Sequence, residues 1–437
     1  MAKVLEALIA RGRRVRRPRE QREVAFGLAD MSTHPEVHVK MVQKGAVRSL
    51  LQLLERTSDA EAQQFSALAL GNMASTVENR IAIVEEGVLR PLIKFMLNDD
   101  SDISARQYCA LTVGNLAAEI ENQDEIVKLD GVRALITVLK TEDEQAGRYA
   151  AFALSNLASN PEHRLQIVEE GALPPLVGLA CKEDVKAQRQ ALGALRGIAT
   201  TVAHRETIVQ EGVLDPLVLM ARSDQVEIKR EVAAALACLS SVEENKVEIA
   251  DRAISSILTL ALSNDAEVEH KAVTAIANLM EMPELHERLL EEQGLAPLIA
   301  LVLSNDIQTK GEACRAVANL AANAEMQRHL MAEAGLAPLV GALATTDPLC
   351  HRFGALALAN LATNVGNQIK IVQEGAVKVL VDLAGNVDRE LEARRCVGCW
   401  LAVVVVAVVR CCRCPAMCVS DSGGVRRSRN PLAFAFA

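Results

Sequence analysis

The 437-residue chain has very few aromatic side chains. One Trp, two Tyr and seven Phe make up 2% of the residues, although 50% of the residues are hydrophobic. A core of Ala, Leu, Val and Ile suits helices that pack closely on small side chains. Proteins that bind single-stranded nucleic acid stack its bases on aromatic rings, and this chain lacks such a platform. The composition predicts an α-helical protein and argues against single-stranded nucleic acid as a partner.

Basic charge is also scarce along most of the chain, whose net charge is −9. Eight basic and two acidic residues lie within residues 1–22, and five Arg and one Asp lie within residues 396–437. The acidic excess therefore belongs to the long stretch between them. Binding to DNA needs clustered Lys and Arg that face phosphates. We expect no nucleic-acid partner.

The sequence lacks an apolar run of the roughly 20 residues that cross a bilayer. In the N-terminal MAKVLEALIARGRRVRRPREQ the charge follows the apolar stretch, unlike a signal peptide, and position 2 is not Gly. Five cysteines occupy alanine-rich helical stretches, which favours buried thiols in a reducing compartment: Cys109, Cys181, Cys238, Cys314 and Cys350. We expect a cytoplasmic protein, with a nuclear or peripheral organelle-membrane location left open.

Motifs of catalysis are missing too. The sequence has no Gly-rich phosphate loop, no G-x-S-x-G elbow and no paired Cys/His nucleophile. His163, His204 and His286 each precede a recurring glycine by eight residues. Such a column has members about 10 Å apart, too far to share one metal ion, so capping or surface roles are predicted. We expect no enzyme activity, cofactor, metal or small-molecule ligand.

What the chain does contain is an internal repeat. A glycine that follows an apolar and acidic helix end recurs every 40 to 44 residues, with Arg252 in one slot, at Gly45, Gly87, Gly131, Gly171, Gly212, Gly294, Gly335 and Gly375. Each repeat reads as a short helix ending at this glycine in a left-handed cap, a second helix, a polar turn and a longer third helix. Three helices in this period match armadillo or HEAT repeats.

The third helices end in a recurring motif that places an asparagine among Ala and Leu, for example ALTVGNLAAE at 110–119 and ALALANLATN at 355–364. Its central column reads Asn72, Asn115, Asn156, Gly197, Cys238, Asn278, Asn319 and Asn360. Asparagine has no intrinsic advantage inside a helix, because its amide competes with the backbone. The column therefore marks candidate binding residues.

With its G-[AV]-[LV]-x-P-L-[VI] and asparagine signals, the chain resembles the armadillo-repeat family over about residues 1–395. The resemblance implies an all-α, right-handed superhelical α-solenoid whose third helices line a concave groove. It implies a partial capping unit at 1–32, eight to nine repeats at 33–395 and an atypical tail at 396–437. The position eight residues before each member of the asparagine column is often basic, and in this respect the chain resembles the vacuolar armadillo scaffold of fungi. These positions hold Arg22, Gln64, Gln107, Arg148, Arg189, Arg230, His270, Gly311 and Arg352.

In the more distant relatives importin-α and β-catenin, groove asparagines hold the backbone of a bound peptide. An amide can donate and accept at once, and repeats about 10 Å apart meet every third residue of a segment that advances about 3.3 Å per residue. In the alternative interpretation the asparagines only join adjacent repeats, and both roles can coexist.

The asparagine column breaks at Gly197 and Cys238. Near the break the chain supplies basic side chains at Arg148, Arg189, Arg196 and Arg230. We interpret this as two clamps separated by a basic region that suits an acidic ligand centre. The alternative is that these arginines pair with the protein's own carboxylates.

The tryptophans with which importin-α holds basic cargo are absent from the slot four residues before the column, which argues against a nuclear-transport adaptor. It holds Leu68, Leu111, Phe152, Gly193, Ala234, Thr274, Arg315 and Leu356. We therefore predict a non-enzymatic scaffold or adaptor that holds extended segments of other proteins. A membrane-tethering scaffold is the alternative, with only indirect membrane contact.

Both ends of the chain carry unusual segments. RGRRVRRPREQR is either a nuclear-import or anionic-surface signal or, as we favour, the solvated face of a capping unit. Residues 396–437 hold six cysteines that suit a zinc site or palmitate. We favour instead a gene model that runs into non-coding sequence.

Overall fold

The computed structural model describes residues 2–386, and every regular element in that range is helical. The chain divides into two compact units, of which the first ends at Met220 and the second begins at Ala221. The predicted boundary at residue 396 and the cysteine-rich tail lie outside the described residues. No helix within residues 2–386 has both the length and the apolar character that a bilayer span requires.

The first unit contains an opening helix pair, four complete three-helix repeats and the first two helices of another. Its helices are α1 (Ala2–Gly12), α2 (Pro18–Met31), α3 (His38–Gln43), α4 (Ala46–Arg56), α5 (Ala60–Ala74), α6 (Arg80–Glu85), α7 (Leu89–Leu97), α8 (Ile103–Leu116), α9 (Ile120–Lys128), α10 (Gly131–Leu139), α11 (Glu144–Leu157), α12 (Pro161–Glu169), α13 (Leu173–Ala180), α14 (Val185–Ala199), α15 (Arg205–Gln210) and α16 (Leu214–Met220).

The second unit continues the same order of elements. Its described helices are α17 (Val226–Leu239), α18 (Glu243–Ala261), α19 (Ala266–Leu279), α20 (His286–Glu291), α21 (Leu295–Leu301), α22 (Ile307–Ala321), α23 (Ala324–Ala332), α24 (Leu336–Leu343), α25 (Pro348–Ala362), α26 (Val365–Gln373) and α27 (Ala376–Asn386). One-turn 3₁₀ helices lead into α3, α6, α15 and α20, at Pro35–Val37, Val77–Asn79, Val202–His204 and Pro283–Leu285.

An aspartate sets the start of most third helices. Asp59 accepts a hydrogen bond from the backbone N–H of Ala62, and Asp265 does the same for Val268. Such a cap satisfies a helix N–H that has no partner within the helix, and it stabilises by about 1 kcal/mol. The same cap recurs at Asp102, Asp143, Asp184, Asp306 and Asp347. α17 begins after Gln225 instead, with no side-chain cap.

The recurring glycine ends the first helix, but by two different backbone routes. Five glycines adopt φ between 77° and 83°, as predicted: Gly45, Gly87, Gly171, Gly212 and Gly375. In three repeats the prediction is wrong, because the left-handed residue is the preceding one, namely Asp130, Gln293 or Ala334. The glycine then begins the next segment, where space is short. A Cβ on Gly131 would lie 2.5 Å from the carbonyl oxygen of Ile126.

Arg252 replaces the glycine in one repeat, and there the bend disappears. α18 runs without interruption for 19 residues and takes the place of both the first and the second helix. Without a residue that readily adopts a left-handed conformation, the chain continues its helical hydrogen bonds through this position.

Third helices pack in sequence within each unit. In the first unit α2, α5, α8, α11 and α14 form one row, and in the second unit α17, α19, α22 and α25 form another. Fully buried alanines such as Ala67, Ala110 and Ala151 let neighbouring helices approach closely. Except for the buried Asn278, the asparagines of the column lie on third-helix surface that is partly exposed within each unit.

Candidate third-helix binding face

The column asparagines lie in the last turns of the third helices, where each amide reaches back to the preceding repeat. Asn115 Nδ2 donates to the carbonyl oxygen of Gly71, at 2.9 Å. The same bond joins Asn156 to Gly114 (2.9 Å), Asn278 to Ala237 (3.2 Å), Asn319 to Ala277 (3.3 Å) and Asn360 to Ala318 (3.0 Å). Asn72 donates to the hydroxyl of Ser32, at 3.0 Å, and Ser32 in turn donates to the Ala29 carbonyl.

Several of these bonds satisfy carbonyls that helix ends leave without a helical partner. At the end of α8 the N–H of Ala118 donates to the carbonyl oxygen of Asn115, three residues back, and not to that of Gly114, four residues back. Asn156, from the next repeat, supplies the missing donor. The last carbonyls of a helix need such an external partner, so Asn156, Asn319 and Asn360 each act as a C-terminal cap for the preceding third helix. The Gly71 carbonyl, which accepts from Asn115, also accepts from the N–H of Ser75, so Asn115 adds a second hydrogen bond there. The inter-repeat role that the sequence left open is therefore present in the structure.

The cap uses only part of each amide. An asparagine offers two N–H donors and a carbonyl acceptor, and the cap occupies one donor. Asn72, Asn115, Asn156, Asn319 and Asn360 are half-buried. Their remaining donor and their Oδ1 atom make no other hydrogen bond to the described residues. The geometry thus leaves an amide free to contact a ligand while it caps the neighbouring helix.

Asn278 differs from the other members of the column. Its Nδ2 donates to both the Ala237 carbonyl and Ser240 Oγ, and its Oδ1 accepts from Arg315 Nη2 at 2.8 Å. The side chain is only 8% exposed. Arg315 is itself held by Glu281 and Glu312. The prediction that Asn278 is a ligand-binding residue is not supported by this geometry, since its polar atoms are already occupied.

Beside Asn278 the second unit forms a pocket of about 420 Å³. Asn319, Asn360 and Leu356 line it together with Glu281 and His286. His286 Nε2 donates to the Met280 carbonyl, and its buried Nδ1 has no hydrogen-bond partner among the described residues. The two asparagines therefore lie at the wall of a concavity on the third-helix face.

Arg230 pairs with the protein's own carboxylates. Its Nε and Nη2 atoms bind the two oxygens of Asp265 at 3.1 and 2.6 Å, and Glu267 lies 3.3 Å from Nε. The guanidinium lowers the pKa of Asp265, mainly by donating hydrogen bonds to the carboxylate. Arg22 holds Asp59 in the same way. For Arg230 the internal pairing that we left as an alternative is what the structure shows.

The other predicted arginines differ in how they pair with the rest of the protein. Arg148 lies 3.9 Å from Asp184 and places its guanidinium 5.1 Å from the centre of the Tyr149 ring. Arg189 is exposed, and its side chain makes no ion pair or hydrogen bond with a described residue. Arg196 is exposed and interacts within the protein. Arg189 and Arg196 lie on α14, and Arg148 lies on the neighbouring α11.

At the break in the column, neither residue can act as an amide. Gly197 has no side chain, and a Cβ there would lie 3.1 Å from the Cβ of Ala158. Cys238 is half-buried on α17. The asparagine column is therefore interrupted in the structure as well as in the sequence, by Gly197 in the first unit and by Cys238 in the second.

The histidine column lies on the first helices. His286 caps the carbonyl at the end of α19, as Asn79 does for α5 and Asn245 for α17. His163 contacts Asn160 and Asp124. Burial lowers the pKa of His204. Within residues 2–386 no group of three or more His, Cys, Asp or Glu side chains is arranged to hold a metal ion.

Sequence reasoning missed the residues that close Asn278. Arg315 occupies the slot four residues before Asn319, and it appeared only as a position without tryptophan. Glu281 follows the third helix α19, and nothing in the sequence pattern assigned it a role. The signal that could have found them is a basic residue four positions before the asparagine of one repeat, together with an acidic residue just after the third helix of the preceding repeat.

Comparison with known proteins places this geometry in a family. The model described as "Armadillo/beta-catenin-like repeat" matches residues 76–118, 160–200, 201–241 and 287–322. An engineered protein solved by the Northeast Structural Genomics Consortium is similar over 92% of this chain and 98% of its own, with 30% identity and a TM-score of 0.79. No curated protein matches the chain.

Designed proteins show the same similarity. A crystal structure of computationally designed armadillo repeat proteins for modular peptide recognition is 27% identical, with a TM-score of 0.50, and covers 52% of this chain and 99% of its own. A second designed armadillo repeat protein is 26% identical over 53% of this chain and 99% of its own, with a TM-score of 0.50. The fold and its repeated caps define an all-α solenoid of three-helix repeats. The chain belongs to the armadillo repeat family.

Proposed function

We propose that this protein is a non-enzymatic scaffold that binds extended segments of other proteins on its third-helix faces. The observation that carries the proposal is the half-buried asparagine amide, which keeps one donor and one acceptor unused at intervals of one repeat. In the first unit these are Asn72, Asn115 and Asn156, and in the second unit Asn319 and Asn360. One of the similar structures is of proteins designed for modular peptide recognition, which is in keeping with the proposal.

Each amide would bind the backbone of the ligand rather than its side chains. A backbone peptide group presents an N–H and a C=O, which match the Oδ1 and the second N–H of asparagine. Such bonds give affinity that depends little on ligand sequence. Selectivity then comes from neighbouring side chains, among which Arg148 and Arg189 favour acidic residues.

Selection from a random peptide display library against the full-length protein tests the proposal. We expect enriched peptides to bind the wild-type protein and to lose most of their affinity for the variant Asn115→Ala/Asn156→Ala. Failure to enrich any peptide, or unchanged affinity for the double variant, would remove the proposed function.

The double variant also loses two hydrogen bonds between repeats, so a matched control is needed. Gln123 is buried and donates to the Ala117 carbonyl of the preceding repeat and to the Asn156 carbonyl of its own repeat, but it lies on a first helix. The variant Gln123→Ala therefore lowers stability without changing the third-helix amides. Peptide affinity should persist in this control and fall in the double variant, with both proteins measured at a temperature where they remain folded.

A further inference from the structure

The few aromatic side chains of this protein are concentrated on one kind of helix. Seven of the ten lie within the described residues, and six of these seven are on third helices. The exception is Phe95, on the second helix α7. Every one of the six stands four or seven residues before the asparagine slot, and this spacing puts it on the same helix face as that slot. A hydrophobic core would not by itself select this face.

Five of the six belong to the first unit, where we call them the aromatic row: Phe26, Phe65, Tyr108, Tyr149 and Phe152. Phe26 is 55% exposed, and the other four are half-buried. The rings of Phe26 and Phe65 meet edge to face with their centres 5.3 Å apart, and those of Tyr108 and Tyr149 lie 6.3 Å apart. The row therefore offers partly exposed rings, four of which lie close together as two pairs.

Neighbouring groups hold the rings in place. The Phe152 ring lies over Gly114, where an added Cβ would come within 2.7 Å of it. The guanidinium of Arg148 lies over the Tyr149 ring. Fixed aromatic side chains lose little conformational entropy on binding, and they are enriched among the residues that dominate protein interfaces.

The row ends next to the most basic third helix. α14 carries Lys186, Arg189 and Arg196 and no acidic residue, although the whole chain has a net charge of −9. It packs directly against α11, which bears Tyr149 and Phe152. The face therefore changes within one repeat from aromatic to cationic.

We propose that the aromatic row binds large aliphatic or aromatic side chains of an extended protein segment, and that α14 binds acidic residues next to them in that segment. The inference rests on the proposed function and names the class of segment recognised. An extended segment in the polyproline II conformation rises about 3.1 Å per residue with three residues per turn. Every third side chain then faces third helices that lie about 10 Å apart, so large side chains are required at every third position. The positive charge of α14 requires carboxylates at one end of this stretch.

Fluorescence anisotropy with the full-length protein and labelled 16-residue peptides tests the proposal. Two probes carry Leu at every third position over nine residues and three Glu at either the N-terminal or the C-terminal end. Comparison probes replace the Leu residues by Ser, or the Glu residues by Lys. We expect one Leu/Glu orientation to bind at least about tenfold more tightly than its Ser and Lys counterparts.

Variants then assign the contacts. Tyr108→Ala/Tyr149→Ala should weaken the Leu/Glu probe about tenfold, while Phe95→Ala, an aromatic loss outside the row, should leave its affinity unchanged. Arg189→Glu should weaken that probe at least about threefold and reduce its salt dependence. Arg133→Glu, the same change at an exposed site on the second helix α10, should have no such effect. Thermal melting checks that each variant is folded.

Equal binding of Leu and Ser probes would overturn this proposal and leave peptide binding itself intact. An equal loss in Phe95→Ala would also overturn it, since the effect would then be general. Binding of no probe at concentrations up to about 1 mM, the weak end of useful affinities, would overturn it as well. The display selection then shows whether the proposed function falls with it.

Discussion

At Asn115, Asn156, Asn319 and Asn360 a single asparagine serves two purposes. Its Nδ2 donates to a helix-end carbonyl of the preceding repeat, and its remaining polar atoms face outward from the third helix. A buried carbonyl without a donor costs about 1–3 kcal/mol, so the residue is retained for stability whether or not a ligand is bound. The presence of asparagine at a slot is therefore weaker evidence for binding than the exposure of its unused atoms.

Asn156→Asp tests the capping role. The carboxylate keeps the size of the amide but cannot donate to the Gly114 carbonyl, so we expect a loss of about 2 kcal/mol or more in unfolding free energy at pH 7. Repulsion by the carbonyl raises the pKa of the new carboxyl group in the folded state. Its protonated form can donate, so the loss shrinks below the unfolded pKa and grows as pH rises through the folded pKa.

Chemical denaturation from pH 3.5 to pH 7 measures this difference against the wild-type protein. Asn156→Ala is the control, because it removes the donor without adding a titrating group. A destabilisation by Asn156→Asp that does not change with pH would contradict the cap.

Ala334 provides a second prediction for a single residue. It holds φ at 57° without being glycine, a conformation that costs about 1–2 kcal/mol for a residue with a Cβ. Ala334→Gly should stabilise the protein by about 0.5–1 kcal/mol, less than the full strain because glycine gains freedom when unfolded. Gly87→Ala, at φ 77° with open space around the new methyl group, should destabilise by a similar amount. Thermal denaturation of both variants checks the opposite signs.

Arg230→Gln tests the ion pair between Arg230 and Asp265. Arg230 lowers the pKa of Asp265, chiefly through its hydrogen bonds to the carboxylate. Because the folded pKa is depressed, this pairing stabilises above the unfolded pKa and is lost as pH falls through the folded pKa. We expect Arg230→Gln to raise the pKa of Asp265 towards its ordinary value, as measured by NMR titration. Asp59, paired with Arg22 in the other unit, should titrate unchanged.

At the scale of a helix, α18 shows how one residue changes an element. Within residues 2–386 every other complete repeat has a glycine where this repeat has Arg252, and in that range only this repeat joins its first and second helices. The sequence revealed the missing glycine, but not its consequence. A neighbouring residue can supply the left-handed turn instead, as Asp130 and Gln293 do before their own glycines.

Restoring the family pattern at this position should therefore be harmful. Arg252→Gly places a glycine inside a continuous helix and removes the ion pair with Glu248, so we expect a loss of about 1 kcal/mol. Denaturation in urea measures it, with Arg252→Ala as the control that removes the ion pair but keeps helix propensity. If Arg252→Gly raised the free energy of unfolding, the sequence of α18 would not favour one continuous helix over two helices joined at this position.

At the scale of the whole chain, much of the architecture could be predicted because its signals are local and repeat. The glycine period gave the three-helix repeats, and the asparagine column gave the face on which they carry polar groups. The closing of Asn278 by Arg315 could not be predicted, because it depends on the register between adjacent helices. The aromatic row was equally hidden, since its members take two different slots in successive repeats.

The break in the asparagine column should also weaken the first unit locally. Asn72, Asn115 and Asn156 tie α5, α8 and α11 to the preceding third helices, whereas Gly197 gives α14 no such tie to α11. In a repeat array, stability depends on each interface between neighbours. Hydrogen exchange followed by mass spectrometry should show faster exchange in α14 than in α8.

The rate of hydrogen exchange should also respond when a further asparagine of the column is removed. Asn156→Ala should raise the exchange rate of α11 towards that of α14, because neither third helix then has an asparagine bond to the third helix before it. The second unit serves as an internal reference, since Asn319 and Asn360 tie α22 and α25 to their neighbours there. Its exchange should not change. Equal protection of α8 and α14 in the wild-type protein would mean that apolar packing alone sets the strength of these interfaces, and that the asparagines are retained for ligand binding.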